Sequence, residues 1–68
     1  MNVVLNGDRV DLPEGATIED AVAATGAPES RRGLAAALEG EVVPRARWAE
    51  TGLAEGARVE ILQAVQGG

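Results

Sequence analysis

The 68-residue chain has room for one domain, and a chain of this length buries only about 60% of the surface that its unfolded form exposes. It contains no cysteine and no histidine, so it lacks thiolate ligands, persulfide carriers and the commonest general base. Its net charge of -5 disfavours binding to nucleic acid or to an anionic membrane. We therefore predict no metal site, no cofactor bound by the chain itself and no enzymatic activity of its own.

The chain begins with a predicted β-hairpin. Residues 3–5 and 9–12 are two short strand-like runs, and Asn6-Gly7 lies between them. This dipeptide supplies the two positive φ angles that a type I′ turn needs. In the second run apolar residues alternate with charged ones, so one face of the hairpin is predicted to be buried and the other to face water.

A short helix is predicted to cover the buried face. Thr17 is a candidate N-cap, and Asp20 is its partner in a capping box. Gly26 and Pro28 are expected to end the helix after about two turns. Four residues at helical spacing form the predicted packing stripe: Ile18, Ala21, Val22 and Thr25.

Residues 34–39 are rich in alanine and leucine, which favour a helix. Flanking glycines restrict this segment to six residues, however, and its apolar side chains alternate, so we predict a strand. Glu39-Gly40 predicts a second hairpin turn into residues 41–43. Pro44 is expected to end that strand because proline has no amide hydrogen to donate.

Trp48 is the chain's only aromatic residue and lies in a predicted single helical turn, residues 45–50. It is predicted to close one end of the core, and an anchor in a partner interface is the less favoured alternative.

The last predicted strand is the run of residues 58–65. Alternation places Val59 and Ile61 inward and Leu62 outward, so Leu62 is predicted to form an apolar docking spot for partners.

The order of these elements predicts an α+β fold. The most compact arrangement places the last strand beside the first, in a mixed five-stranded sheet covered on one face by one main helix, which is the β-grasp (ubiquitin-like) architecture. Residues 1–65 are predicted to form this domain and residues 66–68 a flexible tail. No apolar run approaches the roughly 20 residues of a membrane span and the first residues do not begin a signal peptide, so we expect a cytoplasmic location.

The sequence ends in Gly67-Gly68. Glycines can enter a channel too narrow for any Cβ atom, so a partner enzyme could draw this terminus into its active site. The α-carboxylate of Gly68 is therefore the candidate reactive group. A frayed terminus without function is the alternative interpretation.

The whole chain resembles the sulfur carrier protein family of thiamine biosynthesis, ubiquitin-like β-grasp proteins that end in Gly-Gly. The resemblance rests on the order and spacing of residues 3–7, 12–17 and 40–45 ahead of Trp48, and on residues 59–61 leading into residues 64–68. The sequence departs from the family pattern at Glu39, where an asparagine is frequent, and in the alanine-rich residues 35–37.

The resemblance implies that the chain is a co-substrate. An adenylating enzyme of the ubiquitin-activating type would activate Gly68 with ATP and magnesium, a desulfurase system would supply sulfur for a C-terminal thiocarboxylate, and thiazole synthase would receive that sulfur. The predicted tail-recognition residues are Ala64, Val65, Gln66 and Gly67. Two alternatives are the small sulfur-carrying subunit of molybdopterin synthase, which tends to be longer, and a ubiquitin-like modifier or interaction domain.

Overall fold

The computed structural model describes residues 1–63, which form a five-stranded sheet with one α-helix packed on one face. The strands are β1 (Asn2–Leu5), β2 (Asp8–Asp11), β3 (Leu34–Leu38), β4 (Glu41–Val43) and β5 (Arg58–Gln63); the helix α1 spans Ile18–Ala24, and a 3₁₀ helix spans Arg45–Glu50. The strand order is β2-β1-β5-β3-β4. The predicted β-grasp fold is confirmed, with the last strand at the centre of the sheet. The predicted domain end at residue 65 and the predicted tail lie outside the described residues.

Both predicted hairpins have two-residue turns with positive φ angles. The angles are 51° and 86° at Asn6 and Gly7, and 51° and 84° at Glu39 and Gly40. The pairs Leu5↔Asp8 and Leu38↔Glu41 close the two turns. Asparagine tolerates the left-handed conformation at the first turn position, whereas glutamate at that position costs about 1 kcal/mol.

The capping box at the start of α1 is formed as predicted. The backbone N–H of Thr17 donates to Asp20 Oδ2 (2.8 Å), and the backbone N–H of Asp20 donates to Thr17 Oγ1 (3.4 Å). These bonds satisfy two backbone donors at the helix start.

One of the four residues in the predicted packing stripe of this helix, Thr25, does not pack on the sheet. Ile18, Ala21 and Val22 are buried, but Thr25 is an exposed C-cap residue. Its hydroxyl donates to the Val22 carbonyl oxygen (2.6 Å), so the side chain satisfies the helix end and does not pack on the sheet. The chain then reverses at Gly26, where φ is 81°.

The start of β1 is fixed by the N-terminal ammonium group. It donates to the Leu12 carbonyl oxygen (2.9 Å) and to Asp11 Oδ1 (3.4 Å), and it lies 3.5 Å from Glu14 Oε2. Burial of the ammonium lowers its pKa, but the hydrogen bonds and charges of Asp11 and Glu14 outweigh burial and raise the pKa above its ordinary value of 8.0. The ammonium therefore stays charged near neutral pH and keeps these contacts.

The core lies between the sheet and α1 and contains mostly aliphatic side chains. Trp48, only 1% exposed, is the largest of them, and its Nε1–H donates to the Val43 carbonyl oxygen (2.8 Å). Trp48 is thus a core residue, as predicted, and the interface alternative is wrong. The buried apolar residues are Val3, Leu5, Leu12, Ala16, Ile18, Ala21, Val22, Ala36, Trp48, Ala57, Val59 and Ile61.

We expect Trp48→Phe to lower the free energy of unfolding by about 1–3 kcal/mol, because it leaves a void and removes the donor to the Val43 carbonyl oxygen. Urea denaturation followed by circular dichroism measures the change. Arg47→Ala, at the exposed neighbouring position, is the control and should cost no more than about 0.5 kcal/mol. Equal stability of the Trp48→Phe variant and the unmodified chain would contradict this assignment of Trp48.

Candidate functional site at the C-terminal strand

β5 is the last strand of the sheet, and its pairing with β3 is longer than its pairing with β1. It pairs with β3 over five residue pairs, from Leu38↔Val59 to Leu34↔Gln63. Its parallel pairing with β1 covers only two, Val4↔Arg58 and Leu5↔Val59. Among residues 1–63, the C-terminal half of β5 therefore has a neighbouring strand on one side only.

Each hairpin turn provides one side-chain oxygen that accepts a hydrogen bond from the backbone of β5. The Ile61 N–H donates to Asn6 Oδ1 (2.8 Å), and the Arg58 N–H donates to Glu39 Oε2 (2.8 Å). Asn6 thus extends the pairing of β5 by one step beyond the end of β1. Asn6 and Glu39 were predicted only as turn residues. Their bonds to β5 were missed, because they become visible only when β5 is known to lie between the two turns.

We expect Asn6→Gly to cost about 1–2 kcal/mol in stability and to speed amide exchange at Ile61, since glycine keeps the turn but leaves that N–H without its acceptor. Asn6→Asp is the control, because aspartate tolerates the same φ angle and keeps an acceptor oxygen. Amide hydrogen exchange followed by NMR measures both variants. Unchanged protection of the Ile61 amide in Asn6→Gly would show that the side chain is not its acceptor.

The sheet face turned away from α1 carries an apolar surface, here called the open-face patch, made of Ala35, Ala37, Val42 and Leu62. Leu62 is 63% exposed and Val42 is 76% exposed. Ala35 pairs with Leu62 and Ala37 pairs with Val42, so alternation along the strands places all four side chains on one face.

The predicted outward orientation of Leu62 is confirmed. Val42 was missed, although the register of the Glu39-Gly40 turn would have identified it: the turn pairs Leu38 with Glu41, and the next residue along β4 is Val42. A docking role for either residue stays a prediction.

Five of the predicted site residues lie outside the described part of the chain: Ala64, Val65, Gln66, Gly67 and Gly68. Their roles in tail recognition and modification stay predictions. Within residues 1–63, no group of acidic side chains is arranged to hold a metal ion. Nor does this part contain a helix with the length and apolar character that crossing a membrane requires.

These features define a ubiquitin-like β-grasp protein whose last strand lies at the centre of the sheet and whose sequence ends in two glycines. The family model described as the ThiS family matches residues 3–68, and the chain belongs to that family. A search among curated proteins gives no match.

Two solved structures of the thiamine biosynthesis protein ThiS from Geobacter metallireducens are similar to this chain. The crystal structure has a TM-score of 0.80 and 26% sequence identity, with all of both chains covered. The NMR structure has a TM-score of 0.78 and 28% identity, with 100% of this chain and 88% of that chain covered. The chain is therefore a sulfur carrier of the β-grasp fold, as the resemblance implied. It is a carrier and not a catalyst, and it works with partner enzymes of thiamine biosynthesis.

Proposed function

We propose that the α-carboxylate of Gly68 is adenylated and then converted to a thiocarboxylate, which donates its sulfur to thiazole formation in thiamine biosynthesis. The observation that supports this most is the family match, which runs through residue 68 and so includes the diglycine terminus. The names of the similar structures support the thiamine pathway over molybdopterin synthesis and over protein modification.

Activation is needed because a carboxylate is a poor acyl donor. In the proposed reaction, a ubiquitin-activating-type partner holds ATP and magnesium, the Gly68 carboxylate attacks the α-phosphorus, and pyrophosphate leaves. A persulfide of the desulfurase system then attacks the acyl-adenylate and AMP leaves. A second thiol of that system cleaves the S–S bond, which releases a donor disulfide and the thiocarboxylate. Thiazole synthase is the proposed acceptor of the sulfur.

The chain's own contribution is to present the terminus on a rigid support. β5 is paired with β3 from Val59 to Gln63 and is bonded by Asn6 and Glu39, so a partner that binds the folded body also fixes where the tail begins. The sequence contains no cysteine and no histidine, which agrees with catalytic groups supplied by partners. We propose that this chain binds no cofactor itself and that the open-face patch, with Leu62, is where partners dock.

After incubation with the adenylating enzyme, a sulfur donor and MgATP, we expect the intact chain to gain the mass of one oxygen-to-sulfur exchange. Fragmentation in the mass spectrometer should place the change on Gly68. The control chain lacks Gly68 and should keep the fold but not be adenylated, because its carboxylate ends one residue short. Recovery of chains joined through Gly68 to lysines of other proteins, with no thiocarboxylate, would contradict the proposal and favour a modifier.

We expect Leu62→Asp to weaken binding of the adenylating enzyme and of thiazole synthase by about tenfold or more, since it places a charge in an apolar contact. Its cost in stability should stay below about 1 kcal/mol because the side chain is largely exposed. Ala46→Asp adds the same charge at an exposed position of the 3₁₀ helix and is the control. Calorimetric titration measures binding. A large fall in melting temperature with intact binding would show that Leu62 is a structural residue.

A further inference from the structure

Among residues 1–63, the C-terminal end of β5 lacks a neighbouring strand on its β1 side, which leaves a short backbone edge unpaired. The Asn6 N–H donates to the Val59 carbonyl oxygen (2.9 Å), and the Glu39 N–H donates to the Arg58 carbonyl oxygen (2.9 Å). Odd-numbered residues of β5 therefore direct their backbone groups toward β1, and even-numbered residues direct theirs toward β3. The Ile61 C=O and the Gln63 N–H consequently face the β1 side.

β1 does not reach these two groups. It ends at Leu5, and Asn6 uses its side chain to bond the Ile61 N–H before the chain turns away into β2. Within residues 1–63, no hydrogen bond is made to the Ile61 carbonyl oxygen or to the Gln63 N–H. We call this acceptor and this donor the β5 half-edge. An unpaired acceptor and donor on one side of a strand form a template for an added strand.

A pocket of about 290 Å³ adjoins the half-edge on the side of the sheet that faces α1. Leu34, Ile61, Ala27 and Pro28 are among its lining residues, and none of the residues that line it is charged. This is notable in a chain whose net charge is -5. The pocket therefore suits an uncharged side chain of a segment lying along the half-edge.

Arg31 holds one wall of this pocket in place. Its Nη1 donates to the carbonyl oxygens of Ala27 (3.1 Å) and Pro28 (2.9 Å), and its Nε donates to Glu19 Oε2 on α1 (2.9 Å). The loop that lines the pocket is thus tied to the helix by a largely buried guanidinium group. The pocket is part of the folded body and does not depend on a free loop.

We propose that the β5 half-edge binds an extended backbone segment of the adenylating partner, added parallel to β5 as a short continuation of β1. This inference rests on the proposed function. In parallel pairing, one residue of the added segment lies opposite Leu62, donates its N–H to the Ile61 carbonyl oxygen and accepts from the Gln63 N–H. Its sequence neighbours point to the other side of the sheet, where the uncharged pocket lies.

The position of the half-edge, close to the C-terminus, favours the adenylating enzyme as the partner. Gly68 is five residues beyond Gln63, so a protein that brings Gly68 into an active site must lie close to the end of β5. A second copy of this chain is the less suitable occupant, because it brings another net charge of -5. An antiparallel arrangement of two half-edges would also need the Ile61 N–H, which Asn6 already occupies.

The test compares Gln63→Pro with Gln63→Ala. Proline removes the N–H, which makes no hydrogen bond within residues 1–63, and is tolerated at an unpaired strand edge. Alanine removes the side chain but keeps the N–H. The probe is the adenylating enzyme of the same organism, titrated with each folded variant. We expect Gln63→Pro to bind about tenfold or more weakly than Gln63→Ala, because only alanine keeps the N–H.

A second measurement needs no substitution. Amide exchange of the unmodified chain should be fast at Gln63 in the free protein and slowed when the enzyme is bound. Equal binding of the two variants, or fast Gln63 exchange in the complex, would overturn the half-edge proposal while activation of the unmodified chain still supports the proposed function. Protection that appears in the chain alone and grows with concentration would assign the half-edge to a second copy and overturn the proposal. An enzyme that neither binds nor activates the unmodified chain would overturn the proposed function as well.

Discussion

The pairing of β5 with β1 on one side and with β3 on the other joins two hairpins that are otherwise separate in the sheet. Each hairpin is closed by its own turn, but β1 and β3, the facing strands of the two hairpins, do not pair with each other. Val59 and Ile61 complete the core between these strands, because they are the inward side chains of β5. Cohesion of the domain therefore depends on the strand that precedes the terminus proposed to be modified.

Local chemistry accounts for what could be predicted from the sequence. The Asn6-Gly7 and Glu39-Gly40 turns, the Thr17 cap and the outward orientation of Leu62 depend on residues a few positions apart, and each was predicted correctly. β3 was also predicted as a strand, against the helical preference of its alanines, because the flanking glycines left no length for a helix. Family resemblance then supplied the sulfur carrier role, which no motif in the described residues encodes.

The missed features depend on contacts between distant parts of the chain. Asn6 bonds a backbone group 55 residues away, and Glu39 bonds one 19 residues away. Neither bond has a signature in the local sequence. The β5 half-edge could not be predicted either, because it results from the difference in length between β1 and β5, which lie far apart in the sequence. Thr25 was assigned wrongly because a periodic pattern takes no account of a hydroxyl that bonds the end of its own helix.

The central position of β5 also affects how the protein is made. β5 is the last of the described strands to be synthesised, so the sheet cannot close until the chain has been made through residue 63. Its assembly must wait for contacts between the first and last segments, which are slow to form. Chains that stop early would expose the facing edges of β1 and β3 and be open to proteolysis. A partner that recognises the folded sheet would thus select chains synthesised through residue 63, five residues before the glycine that it is proposed to modify.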